Sequence, residues 1–165
     1  AYGNTEFEGS EATHTDYVGI IKAVGFVSLM NLWVALLPSA KTALWTRLLG
    51  VPYERAIKYH KLITATALIA GIVHYIAVIR NPARVYPVTT DEQVGEVYPI
   101  FGFLALLMLV ISGVFASHIV RNLLPYEVFK TTHMLTIVGI AFVIMHIKSP
   151  LVIVGFIPGL VLHGK

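Results

Sequence analysis

Five stretches of this chain, 23–40, 62–79, 97–120, 131–147 and 149–164, contain no Asp, Glu, Lys or Arg. Each comes near the roughly 20 residues that cross a ~30 Å hydrocarbon core. Inside hydrocarbon the backbone must satisfy its own hydrogen bonds, and continuous apolar runs of this length do so as helices rather than as barrel strands. The chain is 56% hydrophobic and 13% charged, which is far from the usage of water-soluble domains. The expected fold is an all-α, polytopic transmembrane helical bundle with four full spans and a partial fifth, the last run ending close to Lys165. With Ala1 as its first residue and no basic-then-apolar signal segment, the chain reads as a piece of something longer.

The basic residues between the runs give the bundle a direction. Lys41, Arg47, Arg55, Lys58, Lys61, Arg121, Lys130 and Lys165 fall on one side, against Lys22, Arg80, Arg84 and Lys148 on the other. The second side also carries Glu6, Glu8, Glu11, Asp16, Asp91, Glu92 and Glu96. The richer side is expected in the cytoplasm, which puts the N-terminus outside and the C-terminus inside. Residues 1–16 then form an extracytoplasmic segment ahead of a transmembrane domain over 17–163.

On the cytoplasmic side two segments begin alike, PYERAIKYH at 52–60 and PYEVFKTTH at 125–133. Proline suits the start of a helix, where its missing N–H is not needed, and Glu54 and Glu127 suit the positive end of the helix dipole. That much is a start signal. The histidines ask for more, because each helix carries a second one: His60 with His74, and His133 with His146. Spacings of 14 and 13 residues put the members of each pair roughly 20 Å apart along the axis, one towards each membrane face.

Ionisable side chains within a bilayer are costly and tend to face the bundle interior. Two helices running the same way, each with imidazoles at two depths, can clamp two flat macrocycles stacked between the second and fourth helices. One iron would take His60 and His133, the other His74 and His146. A dry setting favours neutral imidazole, the form that ligates metal. The spacing of 14 falls about 40° short of whole turns and that of 13 about 140° short. The helix holding His133 and His146 must therefore bend, tighten or use different rotamers, with Gly139 the expected place.

Other classes are narrowed by composition. Without cysteine there can be no thiolate metal site and no covalent haem attachment. There is no Gly-rich phosphate loop after a strand, and a net charge of +3 spread along span borders is no nucleic-acid signal. A His-lined proton or metal-ion transporter without haem could use the same four histidines, although the spans lack the carboxylates such a path usually needs.

From about Val18 to Leu162 the sequence resembles the ferric reductase transmembrane domain family, shared by ferric-chelate reductases and NADPH oxidases. NLWVALLPSAK at 31–41, LLGVPYERAIKYHKL at 48–62 with His74, and YEVFKTTH at 126–133 with His146 carry the resemblance. GFIPGLVLH at 155–163 is similar to the family's last span. The resemblance implies two b-type haems on the four histidines and a donor domain, absent from this chain, that binds FAD and NADPH in the same longer chain or a separate one. It also implies an outer acceptor, either a ferric chelate or dioxygen. The oxidase branch commonly pairs a basic residue on the first helix with a His four residues after the outer-side His. Lys22 looks like the former, but the latter place is Val78. The LLGVPYERAIKYHKL wording looks closer to ferric-chelate reductases, so Fe(III) reduction is the expected activity and superoxide production the alternative. Arg80 and Lys22, with Arg84, stand where they could pair with outer haem propionates or simply snorkel to the interface. Arg55 and Lys58 could serve the inner propionates, dock the flavin domain or only set topology.

Overall fold

A computed structural model describes residues 5–37, 50–80, 99–147, 154 and 156. Among these the chain forms six helices and no strand: α1 (Thr5–Leu36), α2 (Tyr53–Arg80), α3 (Pro99–Ala116), α4 (His118–Leu123), α5 (Tyr126–His133) and α6 (Leu135–Ile147). The fifth apolar run, apart from residues 154 and 156, lies outside the described residues, as do Lys41, Arg47, Arg84, Lys148 and Lys165.

Asp16–Leu36, Tyr53–Arg80 and Tyr126–Ile147 are long and apolar enough to cross a membrane, and Ile100–Ala116 is a shorter apolar helix. The charge-free run over 97–120 is longer than its helix, because the chain turns extended at Ser117 before α4 begins. The two Pro-Tyr-Glu segments open helices as expected, with each proline immediately before the first helical residue. Pro52 O accepts from the N–H groups of Arg55 and Ala56, and Pro125 O from that of Phe129. Gly50, with φ of +61°, makes the left-handed turn into Pro52, a conformation that disfavours any side chain.

A seven-residue register joins α1 to α2. His60 meets Ala35, Ala67 meets Ser28 and His74 meets Ile21, so the partner position falls on α1 as it rises on α2. The helices are antiparallel, and two turns separate successive contacts. The spacing of 14 is thus two steps of one seam, which keeps both histidines on the same face. Offset by two residues, about 200° around the helix, runs a second stripe of Leu62, Ile69 and Ile76, all exposed. Apolar outside and polar within is the arrangement a bilayer selects.

Antiparallel contacts also join α2 to α3 and α3 to α6. Gly71 lies against Leu106 and Gly113 against Leu68, while Gly102 lies against His146 and Gly139 against Leu109. It follows that α2 and α6 run the same way, as the clamp requires. Leu29, Leu32, Leu36, Ala67, Ile140 and Phe156 form the core. Lipid is as apolar as these side chains, so what holds them together is packing rather than escape from water. Ile140→Ala, at a site 2% exposed, should therefore cost about 2 kcal/mol, the low end of core truncations. A lower unfolding temperature in detergent or nanodiscs would show it.

The expected bend at Gly139 is found elsewhere. Gly139 lies inside continuous α6, where a Cβ would stand 3.0 Å from Leu109 Cγ. The break falls at Met134, directly after His133, where the Met134 N–H is shared by the Lys130 and Thr131 carbonyls and Ile137 N–H reaches Met134 O. A tightened turn advances the chain further around the axis per residue, which is the sense needed to offset the spacing of 13.

Candidate functional site

His60 projects from the second turn of α2, and its Nδ1 lies 2.6 Å from Ala35 O. His74 lies two seam steps on, with Nδ1 2.9 Å from Ile21 O. A carbonyl can only accept, so Nδ1 carries the proton in both rings, and a neutral ring then holds its lone pair at Nε2. This is how a protein fixes the tautomer and orientation of a metal-binding histidine.

His133 ends α5, with Nδ1 3.2 Å from Ser112 Oγ on α3. Phe129, one turn back, stacks on it at 5.3 Å and 21°, and the Arg121 guanidinium lies 4.8 Å over the other ring of that stack, Phe129. The His60 and His133 ring centres stand 6.3 Å apart at 77°. A metal–nitrogen bond of about 2 Å puts an imidazole centre about 3 Å from the metal, and two such rings on opposite sides about 6 Å apart. The observed separation matches that of two imidazoles sharing one metal.

At the other depth, His74 and His146 are each seated over a glycine. A Cβ on Gly25 would stand 2.9 Å from the His74 ring, and one on Gly102 2.8 Å from the His146 ring. Tyr75, beside His74, meets Phe103, beside Gly102, at 5.7 Å. The two histidines therefore occupy one depth of the bundle, His74 from α2 and His146 from α6.

The donor set fits haem in kind. Neutral imidazoles at two depths are the kind of residue that would hold a haem, and His60 with His133 and His74 with His146 would be the ones to do so. Near the His60 depth, Thr64 Oγ1 and Trp33 Nε1 are buried without a hydrogen-bond partner among the described residues. Thr64 is one turn on from His60, and Trp33 is within a turn of Ala35. Lys22 and Arg80 are exposed, Lys22 directly after Ile21 and Arg80 at the end of α2. Arg55 and Lys58 are exposed in the first turns of α2 beside Tyr59.

Several contributors escaped the sequence reading. Ala35 and Ile21 act through backbone carbonyls, which any residue supplies. Gly25 and Gly102 carried a usable signal as glycines inside apolar helices, where close approach is the common reason. Ser112 carried another, as a polar residue in an apolar run.

Residues 24–145 match the family described as ferric reductase like transmembrane component. Comparison with curated proteins and with solved structures gives no match. With that match over most of its length and helices suited to crossing a bilayer, the chain belongs to the ferric reductase like transmembrane component family, integral membrane oxidoreductases whose helical domain serves transmembrane electron transfer.

Proposed function

We propose that this chain conducts electrons across a membrane to reduce ferric chelates outside, holding two b-type haems on His60 with His133 and on His74 with His146. The observation that carries the reading is the His60–His133 pair, with ring centres 6.3 Å apart and His60 locked through Nδ1. Bound there, each haem supplies a one-electron Fe(III)/Fe(II) couple. The chain's own residues ligate, orient and keep water from the sites. On this reading α3 is also a span, giving four, and the Pro-Tyr-Glu segments face the cytoplasm with the N-terminus outside.

The donor is a cytoplasmic domain binding FAD and NADPH, in the same chain or a separate one. NADPH gives up two electrons and each ferric centre takes one, so one NADPH serves two chelates. With two histidines engaged at each level, the acceptor would be reduced at the edge of the site rather than on the metal. Arg80 and Lys22, both exposed, would pair with the outer propionates.

The purified protein should show two low-spin b-type haems in its visible spectrum, oxidised and then dithionite-reduced. A colourless, iron-free protein would end the proposal and leave the His-lined transporter. With the flavin donor present, Fe(II) trapping should exceed superoxide output; superoxide without iron reduction would make dioxygen the acceptor.

A further inference from the structure

The histidines are not held alike, and the difference points to a residue with no assigned role. His60 and His74 face carbonyls, whereas His133 faces the hydroxyl of Ser112. A carbonyl fixes the direction of a hydrogen bond, but a hydroxyl can give or accept. Were Ser112 to donate to Nδ1, a neutral His133 would carry its proton on Nε2 and could not ligate.

Ser112 is 3% exposed, and its Oγ has a second, shorter contact, 2.7 Å to Thr136 Oγ1. Thr136 stands three residues beyond His133, on the far side of the tightened turn at Met134. That turn brings both His133 and Thr136 onto one serine of α3. With the Ser112 proton directed to Thr136, a lone pair faces His133 Nδ1.

We propose that Ser112 is a positioning residue for His133: it accepts the Nδ1–H, donates to Thr136, and thereby sets the tautomer and the electron-donating strength of that ligand. An imidazole whose N–H is drawn towards an acceptor becomes more basic and favours the oxidised metal. The hydroxyl at 3.2 Å draws less than the Ala35 carbonyl at 2.6 Å. The two ligands of this level are thus unequal, and Ser112 tunes the weaker one.

The inference rests on the haem reading above, and its test separates the two. Full-length wild type, Ser112→Ala, Ser112→Cys and Ser112→Thr are purified in nanodiscs, and haem content, the midpoint potential of each haem and the rate of haem loss to an apo-protein scavenger are measured. Cysteine nearly keeps the volume and discards the strong acceptor, while threonine keeps the hydroxyl. The alanine and cysteine variants should raise the potential of the His60/His133 haem alone and lose that haem about tenfold faster. Threonine should behave as wild type. A haem-replete wild type whose potentials are unmoved in both the alanine and cysteine variants would overturn the role of Ser112 alone. So would a shift in alanine that cysteine does not share, since that marks a cavity effect. Absence of haem from wild type overturns the functional reading itself.

Discussion

His60→Ala and His133→Ala will each abolish the same one of two low-spin haem signals, and His74→Ala and His146→Ala will abolish the other. Each variant should retain about half of the haem, because on the proposed reading each level would hold one group between two histidines. The pairing is the sharp part of the expectation. Two residues that grip one iron act as a unit, so His60→Ala/His133→Ala should be no worse than either single change, whereas His60→Ala/His74→Ala should be colourless. The 6.3 Å separation of the His60 and His133 rings is the basis for the first pair. Reduced-minus-oxidised spectra with haem quantitation decide it, and loss of both signals in every single variant would break the pairing.

Gly25→Ala and Gly102→Ala will empty the His74/His146 level while leaving the His60/His133 level filled. The added methyl would stand 2.9 Å from the His74 ring and 2.8 Å from the His146 ring, where ordinary contact begins at 3.4 Å. The ring must yield by about half an ångström, and His74 cannot yield without stretching its bond to Ile21 O. Disturbing the support of a ligand typically lowers affinity about 10–100-fold. Two controls isolate the cause. At Gly113 the close neighbour, 2.8 Å away, is a terminal methyl of Leu68, which can swing aside, and at Gly19 nothing lies within 4 Å. Gly113→Ala should bind haem nearly as wild type. Gly19→Ala should be neutral or stabilising by up to about 1 kcal/mol, as alanine suits a helix better. Wild-type haem content in both Gly25→Ala and Gly102→Ala would show that neither ring is confined.

Much of the helical fold was legible in the sequence because a bilayer imposes few solutions. Uninterrupted apolar runs meant helices, and the four histidines on those helices were expected to look inward. Limits appeared where information sits in the backbone or in packing. The acceptors at Ala35 and Ile21 are carbonyls, chosen by the register of α1 against α2 rather than by residue type. Gly139 is the expected place for a bend because glycine loosens a helix, yet inside a packed bundle glycine also admits a neighbour, and there it admits Leu109. The helix gives way instead at Met134, a good helix former, where the chain has to carry His133 and Thr136 to the same serine. The early end of α3 at Ala116 was hidden because no charge follows until Arg121.

The division of labour among the helices has a consequence for biogenesis. α1 packs chiefly on α2 and α3 chiefly on α6, with α2 meeting α3 over a smaller area. His60 and His74, with the acceptors of both, belong to the first pair, whereas His146 on α6, His133 on the adjoining α5, and Ser112 and Gly102 on α3 belong to the second. Each hairpin would thus emerge from synthesis with half of two sites and neither site whole. On the proposed reading, haem would act as a rivet at two heights between the halves, so that its supply would help decide when they lock together.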